Sequence, residues 1–296
     1  IWCDWEAQGT RLSQNLLHDN QRPPFASVLK GGMMSQDIFV EVGHGPTLID
    51  NNIMLSDASL RFATEGVALV HNLICGALTC VGGGTGPRYT PYHMPHRTEV
   101  MGFMTVLHGD DRFYNNIFVQ KWPSDDIITM HDSDDGFDTE NRAAGTWMFD
   151  EYPTYDEWIS QFDFSKPADM AKLYGAHEGK LPVWIEGNAY LGGAKPSKKD
   201  VNALISAVAR EDVRVELVQK EDGYYLDTNV YELIEGFKNR MIDSDVLGKA
   251  FEPEERFENP DGTAIRFDSD YFGTHRGVDV IPGPFASKEE AAKKLY

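Results

Sequence analysis

An asparagine that opens a short apolar pair recurs in the first 120 residues and constrains how this chain can fold. Its four occurrences, at positions 15, 52, 72 and 116, are separated by 37, 20 and 44 residues. A basic repeat of about 20 residues with loops inserted in some repeats explains these spacings, because stacked-repeat folds tolerate insertions on one face. Stacked Asn side chains can hydrogen-bond one another, so we expect Asn15, Asn52, Asn72 and Asn116 to form a buried ladder.

Short apolar runs around the ladder positions predict β-strands. They are rich in Val, Ile, Phe and Leu, are bounded by Gly, Asp, Asn or Pro, and are too short for helices. These runs occupy residues 38–42, 47–50, 67–70, 100–107 and 117–119. The predicted fold class is all-β dominant: a right-handed parallel β-helix (solenoid) with a small C-terminal α+β or β-rich cap.

The same reasoning divides the chain into two structural parts. Residues 1–195 would form the coils of the β-helix, and residues 196–296 a small helix plus a β-rich cap. Loops are expected to be inserted in the first part at 21–36, 81–99 and 120–180. Helical spacing appears at 167–175 and 196–210, and residues 212–233 alternate around a hairpin signal at Glu221-Asp222-Gly223.

Two acidic residues share one position relative to this repeat. Asp4 and Glu41 each precede a ladder Asn by eleven residues, and the same count from the other two ladder positions gives Arg61 and Thr105. These four positions are called the stripe. Adjacent parallel strands lie about 4.7–4.9 Å apart, so the two carboxylates would stand roughly 5 Å apart. Retaining glycosidases need about 5–5.5 Å and inverting ones about 6.5–9.5 Å, so the stripe predicts a retaining mechanism.

Two surface acids on a solvated strand are the alternative, because the chain has 47 acidic residues against 27 basic ones. Stacked like charges are unfavourable, however, which favours a functional reason for the pair. Side-chain alternation places Trp2 on the face of Asp4, as a surface for a sugar ring, and Trp5 in the core.

Three segments, at residues 1–11, 37–46 and 88–100, resemble glycoside hydrolase family 120. The resemblance covers about residues 1–120 and implies a β-xylosidase on a right-handed parallel β-helix. Such an enzyme is retaining and exo-acting, and it removes xylose from the non-reducing end of xylo-oligosaccharides. The resemblance implies an Asp nucleophile at Asp4 and a Glu acid/base at Glu41.

The family resemblance also raises an expectation about partners. Members are longer, with coils before the nucleophile, whereas Asp4 lies three residues after Ile1. We therefore expect Ile1 to be a cleavage point or chain boundary, with missing N-terminal coils or a second chain packing on strand 1–5. A homo-oligomer is expected.

Other polar residues are weaker candidates for binding the substrate. With Trp2 they are His44, Arg61, Tyr92, His93, His96 and Arg97, and Glu65 is a reserve acid should Glu41 fail. A turn cap at His44, a salt bridge at Arg61 and a self-contained surface loop at 84–99 are the alternatives.

Composition narrows the function class. A net charge of −20 argues against nucleic-acid and anionic-membrane partners, and it suits a neutral xylo-oligosaccharide. An odd count of three cysteines favours a cytoplasmic protein. No cofactor and no metal are predicted, since the acidic stretch 124–140 does not match a calcium loop. A β-helix glycosidase of other sugar specificity, a polysaccharide lyase and a non-catalytic carbohydrate-binding solenoid remain the alternatives.

Overall fold

The structure is a computed structural model that describes most of the chain. It describes residues 1–20, 36–81, 89–121, 128–130, 140–163, 165–166, 171 and 179–296. The predicted inserted loop at 21–36 therefore lies almost wholly outside the described residues. So do the helical segment predicted at 167–175, apart from residue 171, and most of the acidic stretch 124–140.

Three sheets built mainly from parallel strands form the body of the molecule. Successive chain segments add one strand to each sheet in turn, and each strand pairs with its counterpart in the preceding segment. Sheet A contains β1 (Trp2–Cys3), β4 (Gln36–Glu41), β7 (Ala58–Ala63) and β10 (Ala77–Val81). Sheet B contains β2 (Thr10–Ser13), β5 (Thr47–Asp50), β8 (Val67–Val70), β13 (Asp111–Tyr114) and β17 (Val183–Glu186). Sheet C contains β3 (Leu16–Leu17), β6 (Ile53–Met54), β9 (Leu73–Ile74), β14 (Ile117–Val119), β18 (Ala189–Leu191) and β19 (Leu204–Ile205).

The remaining strands are antiparallel and the helices are short. Sheet A is extended by β16 (Glu140–Ala143) and β15 (Ile128–Met130). Two antiparallel hairpins form separate sheets: β11 (Tyr89–His93) pairs with β12 (Val100–Thr105), and β20 (Val215–Lys220) pairs with β21 (Gly223–Thr228). The α-helices are α1 (Tyr155–Ile159), α2 (Val230–Leu233), α3 (Ser244–Leu247) and α4 (Lys288–Ala291), and 3₁₀ turns lie at Trp147–Glu151 and Arg210–Asp212.

The apolar core lies between the three sheets. Its main cluster joins Val40 of sheet A, Ile49 of sheet B and Met54 of sheet C, all of them almost fully buried. Inward and outward side chains alternate along each strand. The C-terminal residues cover outer faces, with Phe285 packed against sheet C and Phe257 against sheet B.

The predicted Asn ladder is confirmed, and it is longer than expected. The Nδ2 of each Asn donates to the Oδ1 of the next, from Asn15 to Asn52, Asn72 and Asn116 and on to Asn188, over 2.9–3.1 Å. Each of these Oδ1 atoms also accepts the backbone N–H of the preceding ladder residue. The ladder therefore ties each chain segment to the next at the corner between sheets B and C.

The corner also explains why a hydrogen-bonding residue is needed at the ladder positions. The residue before each ladder Asn has a left-handed backbone: Gln14, Asn51, His71, Asn115 and Gly187, with φ of 57°, 54°, 57°, 54° and 73°. This conformation costs a non-glycine residue about 1–2 kcal/mol. The ladder bonds offset that strain and satisfy backbone groups that the sharp corner would otherwise leave unpaired.

A partly buried carboxylate ends the ladder. Asn188 Nδ2 donates to Asp200 Oδ2 at 3.1 Å, and the Tyr190 hydroxyl donates to the same oxygen at 2.6 Å. Burial raises the pKa of Asp200 to about 6, although these hydrogen bonds favour its ionised form. All ladder amides point their N–H groups towards Asp200, so the chain of dipoles favours an acceptor there.

Several sequence predictions need correction. The predicted right-handed parallel β-helix is wrong: the strands form separate, mostly parallel sheets with few helices, an arrangement of the α/β type, and the described ranges show no closed solenoid. Strand periodicity locates strands but does not determine how their sheets associate. The helix predicted at 196–210 is also wrong, since Leu204–Ile205 instead pairs with β18. The predicted hairpin within 212–233 is confirmed by β20 and β21.

Replacing Asn72 by Ala should lower the free energy of unfolding by about 3–5 kcal/mol, because each buried group left unpaired costs roughly 1–3 kcal/mol. The partners left unpaired include the Ile49 carbonyl and the backbone N–H and side-chain amide of Asn52. Urea denaturation monitored by circular dichroism measures the change. The control is Asn259→Ala, because Asn259 is only half-buried and its side-chain hydrogen bonds to Thr263 and Ala264 lie at the surface. A loss below 1 kcal/mol for Asn72→Ala would show that the ladder is not structurally important.

The stability contributed by Asp200 should depend on pH. A folded-state pKa raised to about 6 stabilises the fold below the ordinary value near 4, and that stabilisation is lost as the pH rises through 6. Relative to an Asp200→Asn variant, the parent should therefore lose on the order of 2 kcal/mol between pH 4 and pH 7. Chemical denaturation measures the free energy of unfolding of both proteins across this range. The same pH dependence in both would contradict the raised pKa of Asp200.

Candidate active site

The pairing of β1 with β4 places the two predicted catalytic acids next to each other. Trp2 lies opposite Phe39 and Cys3 opposite Val40, so Asp4 and Glu41 occupy the next positions after these pairs. Neighbouring strands are about 4.7–4.9 Å apart. The expected alignment of these two acids therefore agrees with the observed strand register.

Trp2 connects the two positions. Its indole Nε1 donates to Glu41 Oε2 at 3.2 Å, and its ring stacks on Phe39 with centroids 5.3 Å apart. The Arg61 guanidinium lies 5.2 Å from the Phe39 ring centroid. Because Trp2 is 58% exposed, its indole also offers an apolar surface beside Glu41.

The two carboxylates differ in their surroundings. Asp4 is exposed, and its Oδ1 accepts the Trp5 backbone N–H at 2.8 Å. Glu41 is buried, with 5% of its surface exposed. One acid is thus open to solvent while its neighbour is shielded, which suits two acids with different roles.

Three sequence predictions about this stripe and the residues beside it are wrong. Thr105 does not lie on the stripe, because it pairs with Tyr89 in the separate hairpin of β11 and β12. Arg61 lies opposite Phe39, and Ala63 is the residue opposite Glu41. The turn from Ala63 to Val67 is two residues shorter than the turn from Glu41 to Thr47, so a fixed count of eleven fails in that segment. Trp5, expected in the core, is 50% exposed because the backbone turns there with a φ of 25°.

A buried ion pair holds the turn that follows Glu41. His44 Nδ1 lies 2.6 Å from Glu65 Oε1, and His44 Nε2 lies 3.2 Å from the Thr90 carbonyl oxygen. A carboxylate and a carbonyl oxygen both accept hydrogen bonds, so this pair of partners favours an imidazole that is protonated on both ring nitrogens. Burial opposes that charge, but the Glu65 carboxylate outweighs it and raises the pKa of His44.

Close backbone packing reinforces this turn. Gly45 and Gly66 have left-handed φ values of 71° and 73°. A Cβ on Gly45 would clash with the Gly66 backbone, and a Cβ on Gly66 would clash with the His44 carbonyl oxygen. Glu65 is fully buried, and its Oε2 accepts the Leu107 N–H at 2.7 Å. Their burial and their hydrogen bonds to neighbouring segments favour a supporting role for His44 and Glu65. Contact of either residue with a substrate remains a prediction.

The hairpin of β11 and β12, here called the flap, carries the other predicted binding residues. Tyr92 packs edge-on against His44, with ring centroids 5.8 Å apart. His93 Nε2 lies 3.7 Å from Glu6, His96 Nε2 lies 2.8 Å from Glu258, and Arg97 pairs with Glu99 at 3.2 Å. The Glu258 carboxylate raises the pKa of His96.

A cleft of about 870 Å³ lies between the flap, the segment after Asp4 and the C-terminal segment around Glu255. His93, His96 and Arg97 line it, whereas Trp2, Asp4 and Glu41 do not. The predicted binding residues therefore separate into a group at the acid pair and a group along this cleft.

Sequence reasoning missed Gln8, which joins the three walls of the cleft. Its Oε1 accepts the His93 backbone N–H at 2.8 Å, and its Nε2 donates to the His93 carbonyl at 3.0 Å and to Glu255 at 2.6 Å. These contacts span up to 247 residues in sequence, so local patterns could not reveal them.

The described ranges contain no group of three or more His, Cys, Asp or Glu side chains placed to hold a metal ion. Among the helices that the structure describes, none has the length and apolar character needed to cross a membrane.

Comparison with solved structures finds similarity to XylC in complex with xylose. The two structures superpose with a TM-score of 0.77 and share 31% sequence identity over 96% of this chain and 39% of that chain. This chain thus spans about two fifths of the XylC chain. No family model matches the sequence, and no curated protein matches it.

Replacing Glu65 by Gln should destabilise the protein most below about pH 6.5. The raised pKa of His44 stabilises the fold below the ordinary His value of about 6.5, and this contribution disappears as the pH rises through the folded-state pKa. Thermal unfolding measured from pH 5.5 to 9 should show a difference in Tm between the parent and the variant that becomes smaller as the pH rises. A His18→Gln control, which breaks an exposed pair with Asp19, should change little; a pH-independent gap for Glu65→Gln would contradict the ion pair.

Proposed function

We propose that this chain carries the catalytic acid pair of a retaining glycoside hydrolase that releases xylose from the non-reducing end of xylo-oligosaccharides. The observation that supports the proposal is the register of β1 on β4: Trp2 lies opposite Phe39 and Cys3 opposite Val40, and Asp4 and Glu41 are the residues that follow these pairs. Strands about 4.7–4.9 Å apart match the carboxylate separation of about 5–5.5 Å used by retaining enzymes. Similarity to XylC, a protein whose structure was solved in complex with xylose, supports a xylose-containing substrate.

The contacts of the two acids support distinct roles. Glu41, buried beneath Trp2, would protonate the glycosidic oxygen as the bond breaks. Asp4, exposed and oriented by the Trp5 N–H, would attack the anomeric carbon and form a glycosyl ester. Glu41 would then take a proton from water, which attacks the ester and releases xylose with its configuration retained.

Trp2 would orient the sugar in this reaction. One face of its indole stacks on Phe39, and the side chain remains largely exposed. A xylose ring stacked on the exposed indole would lie beside Glu41, since the indole N–H is bonded to that carboxylate. The supporting residues His44 and Glu65 would fix the turn that follows Glu41.

The partner expected on residues 1–5 also remains a proposal. β1 is an edge strand of sheet A, and Ile1 and Trp2 beside it are about half exposed. Unpaired strand edges are usually covered or paired. A further strand, from a longer chain or from a second chain, would cover this edge. Homo-oligomer formation and a cytoplasmic location remain predictions.

Asp4→Asn and Glu41→Gln should each reduce hydrolysis of aryl xylosides by at least about a hundredfold, since general acid–base catalysis alone contributes about 10²–10⁴-fold. Steady-state kinetics measures the loss, with the exposed Asp19→Asn as a matched control. Azide should rescue both variants and give xylosyl azides of opposite configuration: retained if the variant lacks the acid/base and inverted if it lacks the nucleophile. Full turnover in both variants would exclude a glycosidase that uses this pair.

A further inference from the structure

We propose that strand β11 of the flap is a brace that fixes the spacing of Asp4 and Glu41, with Gln8 and His44 as its two anchors. This inference rests on the proposed function of the acid pair. Gln8 and His44 are positioning residues in this role, because they act on the acids through β11 and the backbone of two turns.

The backbone is strained directly after each acid: Trp5 and Glu6, which follow Asp4, have left-handed φ values of 25° and 62°. Val42, which follows Glu41, has a φ of 47°. This conformation is unfavourable for residues other than glycine and persists only where surrounding contacts hold it. The Trp5 N–H donates to Asp4 Oδ1, so the strained backbone also orients that carboxylate. Contacts that hold these two turns therefore help to set the positions of both acids.

Gln8 fastens β11 to the turn after Asp4. Its side-chain amide pairs with both backbone groups of His93: Oε1 accepts the N–H at 2.8 Å, and Nε2 donates to the carbonyl oxygen at 3.0 Å. This exchange of two hydrogen bonds imitates the pairing of a neighbouring antiparallel strand. Nε2 also donates to Glu255 at 2.6 Å, which holds the amide in this orientation, and His93 Nε2 lies 3.7 Å from Glu6 Oε2. The turn after Asp4 is thus joined to β11 through two of its residues.

His44 fastens β11 to the turn after Glu41. Its Nε2 lies 3.2 Å from the Thr90 carbonyl oxygen, and its ring packs edge-on against Tyr92 with centroids 5.8 Å apart. On the other side of the ring, Nδ1 lies 2.6 Å from Glu65 Oε1. The imidazole is buried between these partners, so it connects β11 rigidly to the turn.

β11 therefore bridges the two turns near the acids, because Thr90 meets one turn and His93 meets the other. The turns are also joined directly, but farther along the chain, where the Thr10 N–H donates to the Pro46 carbonyl oxygen at 3.2 Å. Reacting groups must be placed accurately, since a displacement of about 1 Å can lower a rate by about a hundredfold. Loss of an anchor should therefore slow the chemical step more than it weakens substrate binding.

Gln8→Met tests the brace, because methionine has a side chain of similar length and removes all three hydrogen bonds of the amide. Gln14→Met is the matched control. The Gln14 amide also donates to a distant segment, at the carbonyls of Asp270 and Tyr271, but it follows β2 at the ladder corner. Both variants are compared with the parent by steady-state kinetics on nitrophenyl xyloside and by amide hydrogen exchange with mass spectrometry, and urea denaturation confirms that they are folded.

We expect Gln8→Met to lower kcat by about tenfold or more while KM stays within about threefold of the parent, because misplaced acids weaken transition-state stabilisation. Amide exchange at residues 42–46 should become at least about fivefold faster, since the loosened β11 no longer holds His44. Gln14→Met should change neither. Unchanged kcat or unchanged exchange at 42–46 in Gln8→Met would overturn the proposal, and so would the same changes in Gln14→Met.

The two proposals fail separately in this design. If the parent hydrolyses no xyloside but Gln8→Met still loosens residues 42–46, the glycosidase function is wrong and β11 remains a brace between the two turns. If the parent hydrolyses nitrophenyl xyloside and Gln8→Met changes neither kcat nor exchange, the acid pair stands and the brace is wrong.

Discussion

The hydrogen-bonded Asn ladder sets the register on which the rest of the structure depends. The Oδ1 of each ladder Asn from Asn52 to Asn188 accepts both the backbone and the side-chain N–H of the preceding one, so one segment cannot slide along the next without breaking these bonds. A slip of one residue would also reverse which side chains face the core. By fixing that register, the ladder fixes which residues of β1 and β4 lie opposite each other, and hence where Asp4 and Glu41 meet.

The chemistry of the candidate site follows from small differences between segments that share this register. The turn after Glu41 is two residues longer than the turn after Ala63, and its extra length carries His44 into contact with Glu65 and the flap. The outward-facing position opposite Trp2 is filled by Phe39, which supports the indole, and Arg61 lies behind that ring. A repeated framework thus provides positions that differ in charge, burial and exposure.

Sequence alone predicted the features that depend on local pattern. The strands, the four Asn positions, the hairpin at β20 and β21, and the alignment of Asp4 with Glu41 all follow from periodicity and fixed offsets. Arg61 was misplaced because a turn shortened by two residues cannot be detected without the pairing partner. Residues 196–210 have helical spacing, yet Ser197 and Asp200 in this segment bind Asp150 and Tyr190, and Leu204–Ile205 pairs with sheet C. The fold class and the cleft depend on contacts between distant segments, such as Gln8 with Glu255, which local sequence patterns do not encode.

Trapping of the glycosyl-enzyme tests the central claim most directly. A 2-deoxy-2-fluoroxyloside with a good leaving group should inactivate a retaining enzyme by accumulating its covalent intermediate. Peptide mass spectrometry should then find the fluoroxylosyl group on Asp4, with β-xylose as the first product of normal turnover. A label on another carboxylate such as Glu65, or release of α-xylose from a β-xyloside, would contradict the account.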